Sequence, residues 1–364
     1  MQVCNGPIFY YKHEMINLFT DTSFLTENNR RFIFPLMLDV FYIPNSELTE
    51  KYSIVDSLDQ SDIAVLPLDI GRLYTNKEHS FVRSFISEAK KKNKIIWVYS
   101  ANDLGMTLDF NYDLLYVFRL GGKNSKMNNN NLVLPSFISD PYFSRFKGEF
   151  KPLDKTEKAT IGFVGHATAG LKKVLSEFYI YAKYNLERVF KLVYSDYFSL
   201  YLAGIKRFHL LKKLSATDEL TTNFILRKKY RAGAKQEQDK DKTAQEYFQN
   251  IYDNSYTFCF RGGGNFSVRF YETLAMGRIP ILINTDCRLP LQSLINWKNH
   301  CVIIDFDKKS EMVEKIVNFH KKCTDNRFVE MQENNRLLWL NYLSRPSYFL
   351  KIHDVFNEKL MNND

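Results

Sequence analysis

The chain has 364 residues, of which 45% are hydrophobic and 25% charged, a composition typical of a globular protein. A chain of this length is longer than one that usually folds around a single hydrophobic core, so we predict two domains. No apolar run reaches the roughly 18–20 residues that span a bilayer, and the N-terminus lacks the basic head and apolar middle of a signal peptide. We therefore expect a soluble, cytoplasmic protein rather than a membrane-spanning or secreted one.

Cysteine usage argues against a disulfide framework and against a zinc site. The five cysteines are an odd number, and no two of them form a CxxC pair. Cys259 lies inside an apolar run, so we expect it to be a small buried hydrophobic residue.

Much of the net charge of +9 is concentrated in one segment. Residues 206–242 hold eleven Lys or Arg and five Asp or Glu, a net charge of +6. A basic segment favours an anionic partner, such as a nucleotide diphosphate, an acidic glycan or an anionic membrane surface. A solvated helical face explains the same pattern equally well. We expect no nucleic-acid partner.

The first half of the chain predicts a parallel sheet. The apolar run 32–44 predicts one or two strands, and residues 51–70 predict a short amphipathic helix followed by the strand Ile63–Pro67. Apolar residues recur at helical spacing over 77–94, and 94–100 is typical of a buried strand. The order strand, helix, strand over about 40 residues is a βαβ unit, which implies a parallel sheet.

Charged residues lie at or just after the ends of two predicted strands of this half. The strand Ile95–Ser100 leads into Asp103, and a strand over 114–120 contains Arg119. Because ligands of open α/β sheets lie outside the carboxyl ends of the strands, Asp103 is a candidate site residue. The alternative is an aspartate that forms a turn before Gly105 and has no role in binding.

A polar segment separates the two halves. Residues 144–158 are charged and contain a glycine and a proline, so they predict a linker. A strand within 159–170 follows and leads through Gly165-His166 into a helix, which weakly resembles a nucleotide-binding βα unit. His166 is either a site residue or a turn histidine with its hydrogen bonds satisfied.

The second half combines helices with a few strands. Residues 171–255 are predicted to be largely helical, with a strand-like interval near 191–202. Later predicted elements are a helix over 246–256, a strand over 301–306, a helix over 310–323 and further helices interrupted at Pro346. The predicted domains are residues 1–150, residues 151–335, and C-terminal helices over 336–364 that pack back on the first domain.

The stretch 256–297 carries the strongest functional signal. Its glycines allow a ligand to approach the backbone closely. The first turn of the predicted helix points N–H groups and the positive end of the helix dipole at the glycine loop, where a phosphate fits. The predicted parts are a strand over Phe258–Phe260, a loop over Arg261–Phe266, an N-cap at Ser267, a helix over 268–276 and a helix end at Gly277.

Two charged side chains on the predicted helix add to this site. Arg269 lies in the first turn and can form a charge-assisted bond to the phosphate. Glu272 lies three residues further, and its carboxylate suits the two hydroxyls of a ribose. Asp286 follows the next strand, 279–284, at the edge of the same crevice. Diphosphate on the helix tip and ribose on Glu272 together describe a nucleotide-sugar site.

Two other kinds of site compete for this stretch. Gly262-x-Gly264-x-x-Ser267 is close to the dinucleotide-binding fingerprint, and Asp286 lies at a suitable distance for the ribose. That fingerprint requires a third glycine, however, and assigns no role to the arginine and glutamate of the helix. A P-loop is excluded because no Gly-Lys-Ser/Thr triplet occurs.

Residues 258–304 resemble the C-terminal signature of exostosin-type glycosyltransferases, glycosyltransferase family 47, in order and spacing. Weaker similarity to bacterial members of the family extends over 101–105, 117–119, 161–166 and 222–233. The matching residues are Phe258-Cys259, Gly262 to Gly264, Ser267, Arg269, Glu272, Gly277 to Pro280, Asp286, Leu289-Pro290 and Trp297.

The resemblance implies an α/β protein of the GT-B fold, in which two Rossmann-like domains face each other across a cleft. It implies transfer of a sugar from a nucleoside-diphosphate donor, which we expect to be UDP-linked, with inversion at the anomeric carbon. It also implies no obligatory metal and no cofactor. Departures from the animal members favour a cytoplasmic enzyme that builds a microbial surface polysaccharide or glycolipid. The expected acceptor is an oligosaccharide or a lipid-linked glycan, with peripheral association at an anionic membrane.

This hypothesis assigns a role to each site residue. The diphosphate is held by the loop and the helix tip, the ribose by Glu272, and Gly165-His166 face the donor from the floor of the cleft. Inversion needs a general base near the acceptor hydroxyl. The expected donor-binding residues are Arg261, Gly262, Gly263, Gly264, Asn265, Ser267, Arg269, Glu272 and Gly165. The expected catalytic residues are Asp103 as the base, with Asp69 and His166 as alternatives, and Arg269 at the leaving group.

Two other functions remain open at this point. One is a non-catalytic glycan- or nucleotide-binding protein on the same scaffold, which would keep the donor site and lack the base. The other is an NAD(P)-dependent oxidoreductase, because of the partial dinucleotide fingerprint.

Overall fold

The computed structural model describes residues 15–361 except 109, 147, 149, 229–232, 234 and 235. In this part of the chain, strands form one sheet of six and one of five, and every pair of neighbouring strands is parallel. Cys4 and several cations of the basic segment, among them Arg231, lie outside the described residues.

The first sheet occupies the N-terminal half. Its strand order is β2-β1-β3-β4-β5-β6. The strands are β1 (Ile16–Phe19), β2 (Tyr52–Val55), β3 (Ile63–Val65), β4 (Ile95–Ser100), β5 (Leu115–Arg119) and β6 (Asn131–Val133). The helices of this half are α1 (Ser46–Thr49), α2 (Ile70–Thr75), α3 (His79–Lys91) and α4 (Pro141–Ser144).

Helix α3 shows why the predicted βαβ unit forms. Val82, Ile86 and Ala89 recur at helical spacing and are buried on one face. Lys90 and Lys91 lie in the last turn, where the helix dipole favours positive charge. The predictions of α3, of β4 and of a parallel sheet are confirmed.

The second sheet has the strand order β11-β10-β9-β7-β8. Its strands are β7 (Ala159–His166), β8 (Leu220–Arg227), β9 (Tyr256–Cys259), β10 (Ile279–Asn284) and β11 (Val302–Asp305). Its helices are α5 (Leu171–Val189), α6 (Ala203–Leu214), α7 (Glu237–Asp253), α8 (Val268–Ala275) and α9 (Met312–Lys322). Cys259 is fully buried within β9.

Both sheets are doubly wound. In the first, strand order reverses between β1 and β3, and in the second it reverses between β7 and β9. Ligands of doubly wound sheets bind in the crevice outside the carboxyl ends of the strands at such a point. In the second sheet this crevice lies beyond His166 and the loop that follows β9.

The last two helices, α10 (Asp325–Leu338) and α11 (Arg345–Met361), are separated by a π-helical turn over Trp339–Leu343. Helix α11 belongs to the core of the N-terminal half, where Phe349 contacts the rings of Phe34 and Phe118.

The start of α11 is held to the same half by an ion pair. Arg345 donates to both carboxylate oxygens of the buried Asp39, at 2.6 and 2.7 Å. Bidentate pairing of this kind fixes the orientation of a helix as well as its position.

Buried polar contacts join the two halves. The guanidinium of Arg119, which is 2% exposed, donates to Asp196 at 2.9 Å and to the Leu104 carbonyl at 2.6 Å. Asp196 also accepts the Thr107 N–H at 2.7 Å. Gly105 has φ +69°, and a Cβ there would overlap the Arg119 guanidinium. Arg119 therefore positions a segment of the second half against the first.

Two Rossmann-like sheets that face each other across a cleft make this an α/β protein of the GT-B fold. The limits of the domains at residues 150 and 335 stay predictions. Among the described residues, no helix is both long and apolar enough to cross a membrane.

Several predicted elements are wrong. The run 32–44 contains a π-helical turn, Leu38–Tyr42, instead of a strand, since an apolar run without alternation does not distinguish helix from strand. Tyr52–Val55 is the edge strand β2 where a helix was expected, and 191–202 contains no strand. The prediction of a largely helical 171–255 missed β8, which contains the β-branched residues Thr221, Thr222 and Ile225 and pairs along its whole length with β7.

Because α11 packs in the core of the N-terminal half, a substitution near the C-terminus of the chain should strongly lower the stability of the protein. Phe349→Ala removes a fully buried ring, and we expect it to lower the free energy of unfolding by about 3–5 kcal/mol. The measurement is chemical denaturation followed by circular dichroism. Phe143→Ala is the matched control, since Phe143 is 92% exposed and should change stability little. Equal effects of the two substitutions would contradict the packing described for α11.

Candidate functional site

The candidate site lies at the strand-order reversal of the second sheet. Strand β7 ends in Gly165-His166, and β9 is followed by Arg261 and the glycine loop. The structure therefore brings together two segments that are about 100 residues apart in the chain and that both belong at this crevice.

The glycine loop is shaped by its own arginine. The guanidinium of Arg261 donates to the Gly263 carbonyl at 2.6 Å and lies over the Tyr201 ring at 4.6 Å. Burial lowers the pKa of Arg261. Gly262 and Gly263 remain exposed to solvent. Arg261 thus places positive charge beneath a loop whose backbone is open to a ligand.

Gly264 marks the closest approach of the loop to the N-terminal half. A Cβ at Gly264 would overlap the carbonyl oxygen of Asp103 and the ring of Phe266. Asp103 is exposed to solvent, and partial desolvation of its carboxyl raises its pKa. The structure therefore brings the proposed base and the proposed phosphate loop to the same place through a backbone contact.

Asn265 has a structural role that sequence reasoning missed. Its side-chain amide donates to the carbonyl oxygens of Gly122, Thr285 and Asp286 at 2.9–3.0 Å, and its oxygen accepts the Thr285 hydroxyl at 2.6 Å. These bonds join the loop to the N-terminal half and to the end of β10. Because the side chain is engaged in these bonds, the predicted contact of Asn265 with the nucleotide-sugar would have to come from its backbone.

Asp286 makes a second connection between the halves. Its carboxylate accepts the hydroxyl of Ser125 at 2.5 Å, and its carbonyl accepts the N–H of Asn124 at 2.9 Å. The guanidinium of Arg288 donates to the Asn124 side chain at 2.8 Å and to the Met127 carbonyl at 2.5 Å. These bonds fix the segment that follows the C-terminal end of β10 against the N-terminal half.

Ser267 occupies the predicted N-cap position of α8, but its side chain makes no capping hydrogen bond. Gly277 ends the helix with φ +63°, as predicted, because a left-handed residue after the last turn favours glycine.

Arg269 reaches back from α8 to the end of β7. It donates to the Val164 carbonyl at 2.6 Å and lies over the ring of Phe163 at 4.1 Å. A Cβ at Gly165 would come within 2.8 Å of the guanidinium, so glycine is needed for this approach. The buried Nε of Arg269 has no hydrogen-bond partner among the described residues.

Glu272 lies on the α7 side of α8. Its carboxylate accepts a hydrogen bond from the hydroxyl of Tyr247, next to Arg269. Burial raises the pKa of Glu272, while the Tyr247 hydrogen bond and the Arg269 charge act in the opposite direction. The structure thus brings Arg269, Glu272 and Gly165 into one cluster.

Arg207 is a site residue that sequence reasoning counted only as part of the basic segment. It donates to the carbonyl oxygens of His166 and Arg261, both at 2.7 Å, and so joins the ends of β7 and β9. Burial, and then the nearby charge of Arg269, lower its pKa to about 10. Its buried Nε has no partner in the part of the chain that is described.

His166 lies in a positively charged setting. Burial and the cations Lys173 and Arg207 lower its pKa, against a weaker opposite effect of Glu177. The imidazole is therefore neutral at physiological pH and can accept a proton. Lys173 and Glu177 form an ion pair at 3.3 Å on α5 beside it.

Asp69, the other alternative base, is occupied by structural hydrogen bonds. It is 8% exposed, accepts the Arg72 N–H at the start of α2 and accepts the Ala101 N–H, both at 2.8 Å. A carboxylate held in this way is poorly placed to take a proton from a substrate.

A cavity of about 470 Å³ opens beside Arg261 at the ends of β10 and β11. Asp305 and Asp307 contribute carboxylates, while Tyr201 and Phe306 contribute aromatic rings. Lys206 lies over the Tyr201 ring at 3.7 Å. Sequence reasoning missed this cavity, because its lining comes from five separate segments.

Within the described residues, no group of three or more His, Cys, Asp or Glu side chains is arranged to hold a metal ion. The expected independence of metals and cofactors stays a prediction.

The fold and this crevice together define a GT-B protein with a cationic, glycine-lined cleft. No family model matches the chain. The chain is similar to Exostosin-1 of Drosophila melanogaster, with 26% identity over 127 residues, which cover 33% of this chain and 16% of that protein. It thus matches about a sixth of the length of this relative.

Two solved structures resemble the chain at low identity. One is TarM, with 12% identity and a TM-score of 0.35 over 88% of this chain and 58% of that one. The other is the glycotransferase of kitacinnamycin, with 9% identity and a TM-score of 0.29 over 86% of this chain and 72% of that one.

The close approach at Gly264 predicts a position-specific effect of alanine. Gly264→Ala should force the loop away from Asp103 and lower the free energy of unfolding by about 1–3 kcal/mol. Gly262→Ala is the control, since a Cβ at that position meets no atom within 4 Å. Thermal unfolding of both variants measures the difference, and equal midpoints would refute the contact.

The buried carboxyl of Glu272 predicts a pH-dependent stability. Because its pKa in the folded state is raised above the usual 4.5, the protonated form stabilises the fold in acid, and this stabilisation is lost as the pH rises through the raised value. Glu272→Gln keeps an acceptor for Tyr247 and cannot ionise. We expect the variant to unfold at a higher temperature than the wild type at neutral pH, with the difference shrinking in acid. A variant that is less stable at every pH would contradict this.

Proposed function

We propose that this protein is a glycosyltransferase that moves a sugar from a nucleoside-diphosphate donor to a glycan or glycolipid acceptor. The observation that carries the proposal is the convergence of an open glycine loop with Arg207, Arg261 and Arg269 at the strand-order reversal. The GT-B fold and the partial similarity to Exostosin-1 support it.

The donor diphosphate is proposed to lie on the loop between Gly262 and Gly264. The exposed Gly262 and Gly263 and the tip of α8 favour an anion there. The buried guanidinium groups of Arg207 and Arg269 have unpartnered Nε atoms in the described structure, so an anion would gain charge-assisted bonds from groups already desolvated. Glu272 is proposed to accept the ribose hydroxyls, with a UDP-linked sugar as the donor.

The proposed reaction is a direct displacement at the anomeric carbon. The acceptor hydroxyl oxygen forms a bond to that carbon while the bond from the carbon to the donor phosphate oxygen breaks. The electron pair stays on the leaving nucleoside diphosphate, and the hydroxyl proton passes to the base. Positive charge around the loop stabilises the leaving group as its charge develops, and the product is inverted.

Asp103 remains the proposed base. The residue is exposed, its backbone lies against the glycine loop, and its raised pKa makes the carboxylate a better proton acceptor. His166 is the alternative, since its imidazole is neutral at the floor of the same cleft.

The chemistry of the neighbouring cavity supports a carbohydrate ligand. Carboxylates such as Asp305 and Asp307 accept hydrogen bonds from sugar hydroxyls, and the faces of Tyr201 and Phe306 suit the apolar faces of sugar rings. Synthesis of a surface polysaccharide, proposed from the resemblance to bacterial family members, would supply an acceptor of this class.

The proposal predicts selective loss of donor binding. In a thermal-shift panel of nucleotide-sugars, the correct donor should stabilise the wild type more than the free nucleotide does. Arg269→Ala and Glu272→Ala should weaken donor affinity by about 10- to 100-fold, since each removes a hydrogen bond to a charged group. Arg83→Ala, on the exposed face of α3, is the control.

Donor affinity equal to that of the wild type in both site variants would contradict the assignment of the donor site. Release of free nucleotide from the donor in the presence of acceptor, measured with wild type and Asp103→Asn, tests catalysis separately. Binding without turnover in the wild type would identify a non-catalytic binding protein instead.

A further inference from the structure

The apolar face of helix α5 lies in solvent. None of its 19 residues is buried, and Leu171, Leu175 and Phe178 are 81%, 68% and 52% exposed. An amphipathic helix of a globular protein normally turns such a face to the core. A continuous exposed apolar surface of this kind marks an interaction site.

Most of the exposed apolar residues form one stripe along the helix, and only the exposed Ile180 lies off it. Their spacing of three, four or seven positions places them on a single face over the whole length of α5. The stripe consists of the exposed Leu171, Leu175, Phe178, Tyr179, Leu186 and Val189 with the half-buried Ala182 between them, and the exposed Phe190 and Leu192 follow it past the helix end.

The polar face of α5 is the face that contacts the protein. Tyr184 accepts a hydrogen bond from Asn102 at 2.8 Å, and Asn185 donates to the Phe198 carbonyl at 2.8 Å. Turning the stripe inward would break these bonds. The exposure of the stripe is therefore a consequence of how α5 is anchored.

We propose that the α5 stripe docks on the surface of an anionic membrane. Residues 171–191 contain five basic and two acidic side chains, and Lys172 and Lys183 flank the stripe. Leucine and aromatic residues on one face with lysines beside them are typical of helices that lie in the membrane interface. Each lysine near the surface is attracted by anionic lipids. A second copy of the chain would instead bring like charges together.

Docking would place the cleft at the membrane. Helix α5 begins five residues after His166, and Lys173 and Glu177 on its inner face lie beside Gly204 and His166. A lipid-linked acceptor could then reach the cleft without leaving the bilayer. The docking itself does not depend on the proposed glycosyl transfer.

The test is sedimentation of the full chain with vesicles of equal parts phosphatidylcholine and phosphatidylglycerol, compared with vesicles of phosphatidylcholine alone. We expect binding to the anionic vesicles that weakens at high salt, because the lysines act through a screened charge. The double substitution Leu175→Ser with Phe178→Ser should weaken binding by about tenfold or more. Phe143→Ser removes a still more exposed ring outside α5 and should leave binding unchanged.

Circular dichroism and unfolding midpoints are the control for folding. We expect the variants to keep the wild-type fold, because the changed residues are exposed. Failure of the wild type to sediment with anionic vesicles would overturn the proposal, as would equal binding of the α5 variant and the control. A dimer in light scattering that the α5 substitutions dissociate would identify a second copy of the chain as the occupant and also overturn it. Nucleotide-sugar binding is measured separately, without vesicles, so failure of membrane docking and failure of the proposed donor site can be told apart.

Discussion

The packing of the 261–266 loop against the N-terminal half is the constraint on which the rest of the site depends. Gly264 lies directly on the Asp103 carbonyl, and the amide of Asn265 joins the loop to Gly122 and to the end of β10. Because these groups are buried and bonded, the loop is held in one position. The exposed glycines beside it therefore meet the cleft with a defined backbone.

This arrangement brings several arginine side chains close together beside the loop. Burial lowers the pKa of Arg207 and of Arg261, and the two Nε atoms of Arg207 and Arg269 lack partners within the described residues. Uncompensated buried charge destabilises a fold. An anionic ligand at the loop would offset this destabilisation, which gives the proposed donor a role in stability as well as in the reaction.

The structure also connects the two proposals about location and substrate. The inner face of α5 carries Lys173 and Glu177 near His166, while its outer face is apolar and exposed. One helix therefore relates the floor of the cleft to the surface proposed to meet the membrane. If docking occurs there, a glycan attached to a lipid has a short path to the site, whereas a free oligosaccharide gains nothing from it.

Strong local periodicity and turn chemistry were readable in the sequence. The spacing of Val82, Ile86 and Ala89 predicted α3, and Gly277 predicted the end of α8, because helix faces and left-handed turns depend on residues close in the chain. The parallel sheets and the succession of strand, glycine loop and helix followed in the same way. Weakly patterned segments failed: 32–44 and β8 were assigned wrongly, since tertiary packing decided their conformation.

The sequence by itself thus determined an α/β protein with parallel strands and with a glycine loop, an arginine and a glutamate around one helix tip. Only the tertiary structure decided that Arg207 joins β7 to β9, that Asn265 connects the two halves, and that the stripe of α5 faces outward. The physical reason is sequence distance. These contacts join segments that are far apart in the chain, and no local pattern specifies which side chains meet when two sheets are brought face to face.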